Sequence, residues 1–134
     1  MRVLKLHGPN MNLFGIRSSK KGENITLDKI NRYIRQYIKN KNLDIKIIQT
    51  HNEVKAVSYL HANKNNFNGV ILTPGSWQNS AHILKETLEI IDLKYIVIKL
   101  EKDGKINLLS GNKNIFNENI MKSFEQALNY YVPK

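Results

Sequence analysis

Gly69-Val70-Ile71-Leu72-Thr73-Pro74-Gly75-Ser76 is the stretch whose reading decides the architecture. Its first four residues are continuously apolar, without the alternation of a strand that has one wet face. They fit a short strand buried on both sides, and such strands belong to parallel sheets covered by helices. The Pro-Gly turn feeds a helical pattern over 80–91 that turns Ile83, Leu84, Thr87, Leu88 and Ile91 inward. Strand, turn and helix make one unit of an α/β alternation.

Working outward, the flanks supply the other units. Upstream lies a first strand near Arg2–Leu6, then a polar segment from Gly8 to Ile25. That segment is longer than most strand-to-helix connections and is a candidate lid. Thr26 caps a helix whose apolar face reads Ile30, Tyr33, Ile34, Tyr37 and Ile38. A second strand is expected near Asp44–Gln49, followed by a helix carrying Val54, Val57 and Leu60 and an Asn-rich turn at 63–68. Downstream come a fourth strand at Tyr95–Leu100, a weak fifth at Ile106–Leu109, and a closing helix striped by Ile120, Met121, Phe124, Ala127, Leu128 and Tyr131. The pattern predicts a flavodoxin-like, three-layer α/β fold with a parallel five-stranded sheet in the order 2-1-3-4-5. Its weak point is the fourth crossover, because Glu101–Lys105 is too short for a helix. No linker or low-complexity tail interrupts the chain, so residues 1–134 read as a single domain.

Composition excludes several functions. The 134 residues are 41% hydrophobic and 24% charged, enough for one buried core. There is no cysteine, hence no disulfide, thiolate nucleophile or cysteine metal site. No apolar run approaches the roughly 18 residues of a membrane span, and no secretory segment precedes the first strand, so a cytoplasmic protein is expected. The net charge of +10 comes from scattered lysines without an Arg-rich tract or interleaved aromatics. It reads as a solvated lysine-rich surface, with no motif for nucleic acid.

In such a sheet, ligands bind beyond the carboxyl ends of the strands, at the switch point between strands one and three. Gly8-Pro9-Asn10 follows the first of these strands and Thr73-Pro74-Gly75-Ser76 the other. The second turn leads into a helix N-terminus, which suits an anion. Lys99 interrupts the apolar fourth strand and either points its ammonium into this cleft or is a strand-end lysine reaching water. Of the four histidines, none has metal-ligand spacing. His51 follows strand two and is placed to line the pocket; His7 reads as a strand-end residue, and His61 and His82 as surface or packing residues. Trp77 is expected to shield the cleft.

Three motifs carry a family resemblance. Leu6-His7-Gly8-Pro9-Asn10-Met11-Asn12-Leu13-Phe14-Gly15-Ile16-Arg17 resembles the N-G-P-N-L-N-L-L-G-x-R signature of type II 3-dehydroquinate dehydratases. Gln49-Thr50-His51-Asn52-Glu53 resembles their Q-S-N-H-E, and 69–77 resembles G-I-V-I-N-P-G-A-Y. The matches fall in order over roughly residues 1–102. The resemblance implies dehydration of 3-dehydroquinate through an enolate, with no metal or organic cofactor, in trimers grouped into dodecamers. It implies a lid tyrosine as base, activated by an arginine, an asparagine in the G-P-N turn at the enolate, and a histidine after strand four as acid.

Carried over residue by residue, the resemblance is incomplete. Asn10 matches the turn asparagine, Arg17 the activating arginine and Gly75 the backbone turn, while Glu86 stands where the family has an aspartate. The lid tyrosine is absent: the segment reads Arg17-Ser18-Ser19-Lys20-Lys21-Gly22, and no tyrosine precedes Tyr33. Lys99 replaces the acid histidine, Thr73 the asparagine of N-P-G, and Asn79 a ligand-holding histidine. The arginine-bearing segment after strand four is missing. The catalytic candidates are therefore Asn10, Arg17 and Lys99, and the ligand-binding candidates are Thr73, Gly75, Ser76, Asn79, Glu86 and His51.

A positioned acid or base contributes about 10²–10⁴-fold in rate, so losing both removes most of the dehydratase activity. The first reading is thus a degraded dehydratase that retains a pocket for a small carboxylate and assembles as a trimer-based homo-oligomer. A second is an active dehydratase with rebuilt catalytic groups. A third is a non-enzymatic binding or assembly module.

Overall fold

The computed structural model describes residues 1–102 and 107–133. Five parallel strands form one sheet: β1 (Arg2–His7), β2 (Asp44–Gln49), β3 (Gly69–Thr73), β4 (Tyr95–Ile98) and β5 (Lys113–Ile115). Their order is β2-β1-β3-β4-β5, with Leu6 paired to Ile48 on one side and Leu72 on the other. This is the flavodoxin-like arrangement that the strand and helix pattern predicts.

Period-two alternation divides the core into two layers. Val3, Ile45, Ile71 and Ile96 face helices α2 (Leu27–Tyr37) and α5 (Ile120–Tyr131). Leu4, Leu6, Val70, Leu72 and Val97 face α3 (Glu53–Asn63) and α4 (His82–Ile90). Thr26 caps α2 through its side chain, which accepts from the Lys29 amide at 3.2 Å, and Ile30 and Ile34 are fully buried. Across the first layer the Tyr37 hydroxyl reaches Asn129 at 2.8 Å, and Tyr33 bonds Glu125. The inward stripes are narrower than expected. Val54 and Ile83 are exposed, because α3 and α4 lie side by side and leave their outer edges to solvent.

Two segments differ from the expectation. The polar segment after β1 holds a 3-10 turn at Met11–Leu13 and a short helix, α1 (Phe14–Ser19). Met11 and Phe14 are buried, which anchors it to the first layer. The fifth strand is Lys113–Ile115 and not 106–109; Ile106 lies outside the described residues, and 107–109 form no strand. Leu109 instead inserts fully into the second layer. The side-chain amide of Gln78 holds it there, donating to Leu109 O at 3.0 Å and accepting from Leu109 N at 2.7 Å. An amide pairing with both polar groups of one residue imitates a strand neighbour. It fixes this crossover at a point where the sequence has no helix to offer.

Candidate active site

β3 ends at Thr73 and turns at once into a 3-10 segment, Gly75–Asn79. Gly75 sits at φ 54°, where a side chain would be strained. The turn after β1 packs directly against it. The Gly8 amide donates to Thr73 O at 2.8 Å, and a Cβ on Gly8 would lie 2.7 Å from Pro74 O. A Cβ on Gly75 would lie 3.3 Å from Pro9 O. This close approach packs the two turns together at the ends of β1 and β3.

A cavity of about 400 Å³ lies beyond the ends of β3 and β4, lined by Arg17, by Pro74–Ser76, Gln78 and Asn79, by Ile98–Glu101 and by Asn107. Arg17 comes from α1, and its guanidinium meets the Glu101 carboxylate at 4.0 Å, with both side chains substantially exposed. Lys99 follows β4 and is held by its amide, which donates to Ile115 O at 2.8 Å. Two cations and one carboxylate therefore line the cavity, alongside neutral hydrogen-bonding groups of Ser76, Gln78, Asn79 and Asn107. No tyrosine or histidine is among its described lining residues.

Of the candidates named from sequence, the cavity brings together Arg17, Gly75, Ser76, Asn79 and Lys99. Asn10 and His51 meet each other next door: the Asn10 amide, in a left-handed residue at φ 66°, donates to His51 Nδ1 at 3.0 Å. Neither lines the cavity. Glu86 is exposed on α4, outside the lining. Thr73 is fully buried and turned away from the cleft, its hydroxyl accepting from Lys5 Nζ at 2.6 Å. Trp77 is core, packed in the second layer. The helix N-terminus does not serve the cleft either. α4 starts at His82, and its Leu84 amide is already taken by the Glu53 carboxylate at 3.0 Å.

Sequence reasoning missed the groups behind the wall. Lys5 is fully buried in the central strand, on the face toward α5, with Nζ also donating to Leu6 O at 3.2 Å and Ile71 O at 3.4 Å. The Phe124 ring lies beneath it at 5.3 Å. Burial pushes its pKa well below the ordinary lysine value. Two residues on, His7 is buried on the same face with Nε2 against Asn31 Oδ1 at 2.9 Å. Burial and the neighbouring Lys5 push its pKa down, partly opposed by the bond to Asn31. The available signal was a lysine and a histidine two apart in a strand with both faces covered. Gln78, Glu101 and Asn107 gave no sequence signal.

A doubly wound α/β domain with Arg17 and Lys99 lining a cavity beyond β3 and β4 is the class that this fold and site define. The chain belongs to the class II dehydroquinase family: the family model, described as Dehydroquinase class II, matches residues 1–104. Among curated relatives, a 3-dehydroquinate dehydratase of Caldanaerobacter subterraneus subsp. tengcongensis is 27% identical over 99 residues, covering 74% of this chain and 67% of its own. One from Halothermothrix orenii is 27% identical over 104 residues, covering 78% and 70%. Among solved structures, a type II dehydroquinase from Butyrivibrio crossotus superimposes with a TM-score of 0.84 at 21% identity, covering 97% of this chain and 96% of that one. A 3-dehydroquinate dehydratase-like protein from Bifidobacterium longum gives 0.69 at 13% identity, covering 97% of each. At these identities the two structures establish the shared fold. No described helix is long and apolar enough to cross a membrane.

Proposed function

We propose that this chain is a dehydroquinase-fold protein that binds a small carboxylate in the cleft beyond β3 and β4, and that it dehydrates 3-dehydroquinate poorly. One observation carries the reading: the cavity keeps Arg17, Lys99 and a ring of neutral hydrogen-bonding groups, and has neither a tyrosine nor a histidine on its described lining. The cations supply attraction and orientation for an anion. Taking the proton beside the ketone needs a base, and releasing the hydroxyl needs an acid. Gly22 stands where the resemblance places the lid tyrosine, at φ 76° with open space around it. Lys99 can donate a proton but occupies the acid's place, and among the described residues no tyrosine or histidine on the cavity lining takes the base's.

The test is the absorbance of 3-dehydroshikimate formed by the purified protein. Turnover at least about 10³-fold below that of an ordinary family member is expected, because each positioned proton-transfer group contributes about 10²–10⁴. Thermal stabilisation by shikimate-pathway acids, lost in Arg17→Gln, is expected alongside it.

A second reading, an active dehydratase with rebuilt groups, has in its favour that Arg17 and Lys99 share one cavity. Robust turnover abolished by Lys99→Ala would establish it and overturn the first. A homo-oligomer smaller than a dodecamer completes the proposal, since the deleted segment after β4 lies at one end of the sheet. Nucleic acid has no place in it, because the basic residues form no motif.

A further inference from the structure

Among the described residues that line the cavity beyond β3 and β4, three side chains carry charge: Arg17, Lys99 and Glu101. The carboxylate is the unexpected member. Beside the arginine of a site for plain carboxylates, a fixed negative charge repels the ligand and competes for its partner. The pair adds little stability in exchange. Arg17 Nη1 and Glu101 Oε1 come only to 4.0 Å, beyond hydrogen-bonding distance, and the side chains are 48% and 75% exposed. Each partner therefore keeps hydrogen-bonding capacity for a third group, N–H donors on the guanidinium and acceptor oxygens on the carboxylate. Opposite charges with capacity to spare, held side by side on one cavity wall, are the mirror image of a zwitterion.

We propose that the cavity selects an α-amino acid with an acidic side chain. The inference rests on the anion-binding reading above and names the ligand class. The α-carboxylate lies on Arg17, the α-ammonium on Glu101 and the side-chain carboxylate on Lys99. The lining then meets its own charge pattern inverted, two cations and one carboxylate against two carboxylates and one ammonium. The spacing of Arg17 and Glu101 suits an α-amino acid, whose two charged groups leave the same carbon and arrive side by side. A dicarboxylate without the amine satisfies Arg17 and Lys99 but sets Glu101 against another anion. Ser76, Asn79 and Asn107 add neutral hydroxyl and amide groups, which donate to the carboxylates or accept from the ammonium. At about 400 Å³ the cavity lies toward the small end of the range for ligand sites, as a short-chain ligand requires.

The test is a titration of the whole chain with L-glutamate and with glutarate, the same carbon chain without the amine, followed by backbone amide chemical shifts. L-Glutamate is expected to bind at least about 3-fold tighter, the scale of one exposed charge pair. General attraction to a chain of net charge +10 favours the more negative glutarate, so this order has to come from the site. In Glu101→Gln the order should reverse. Glutarate gains because its competitor for Arg17 is gone, and L-glutamate loses the partner of its ammonium. Arg17→Gln should weaken both ligands. Both substitutions fall on open side chains, and an unchanged melting temperature verifies that the fold is kept. Equal affinities in the native chain, or a preference for L-glutamate that survives Glu101→Gln, overturn the amino-acid inference. Glutarate binding that Arg17→Gln weakens then leaves the anion site standing. Binding of neither ligand overturns the anion-site reading and this inference together.

Discussion

Lys5 concentrates what the sequence hid. A lysine within Val3–Leu6 looks like one polar residue on a wet face, yet both faces of β1 are covered, so its amine must find partners inside. It finds three oxygens, and the Thr73 hydroxyl at 2.6 Å is the nearest. That bond also turns Thr73, a ligand-binding candidate in the sequence, to an internal partner that lies 68 positions away. Two substitutions should act with opposite sign. Lys5→Met exchanges a buried amine for an apolar chain of similar length, which is neutral or stabilises by about 1–4 kcal/mol. Thr73→Val leaves the buried amine one partner short and costs about 1–3 kcal/mol. Urea midpoints at pH 7.5 check both, and a large loss in Lys5→Met would refute the account. His7 supplies a pH dependence. Its folded pKa lies well below the usual 6.5, so below about pH 6.5 the unfolded chain binds a proton that the folded chain does not. Stability therefore falls as pH drops through that value. His7→Gln, which keeps a donor for Asn31, should flatten the fall in melting temperature between pH 7.5 and pH 5. An unchanged slope would assign the effect to other groups.

Among the elements, those with strong periodicity were legible from sequence. β2 occupies the expected residues, α2 buries Ile30 and Ile34 of its stripe with Tyr33 and Tyr37 half-buried, and α5 buries its stripe except for the half-buried Met121. The elements that were misread depend on single distant contacts. The β4-to-β5 crossover has no helix, and nothing local shows that residues 107–109 would be loop while Lys113–Ile115 pairs with β4. The determinant is Gln78, 31 positions away from Leu109. Gln78→Ala removes both bonds to Leu109 and should cost about 1–3 kcal/mol, because two backbone groups lose their partner. Gln78→Glu keeps the acceptor for Leu109 N but opposes its carbonyl, so it should be no better than alanine. Hydrogen exchange at the Leu109 amide gives the local reading: faster exchange is expected in both variants.

At the scale of the whole molecule, the family was legible because its motifs lie within residues 1–104, and the sheet order because the strand and helix alternation gives it even with β5 misplaced. The lining of the cavity was legible only in part: the switch-point rule names the ends of β1 and β3, and the cavity lies beyond β3 and β4. Asn10, which matches the family's turn asparagine, and His51, placed after strand two, are not among its lining residues. Assembly is a separate matter of surface. Light scattering should give a particle smaller than twelve chains, and a dodecamer mass would show that the segment after β4 is dispensable for assembly. The Glu53 carboxylate at the head of α4 has a last consequence. A helix end occupied by its own protein's anion lends a ligand little of its dipole. Attraction to the cleft is left to the half-exposed Arg17 and to Lys99, whose fields run partly through water. With a Debye length of about 10 Å at 0.1 M and about 3 Å at 1 M, that attraction is one that salt erases, so occupancy of the proposed anion site should track the ionic strength around the protein.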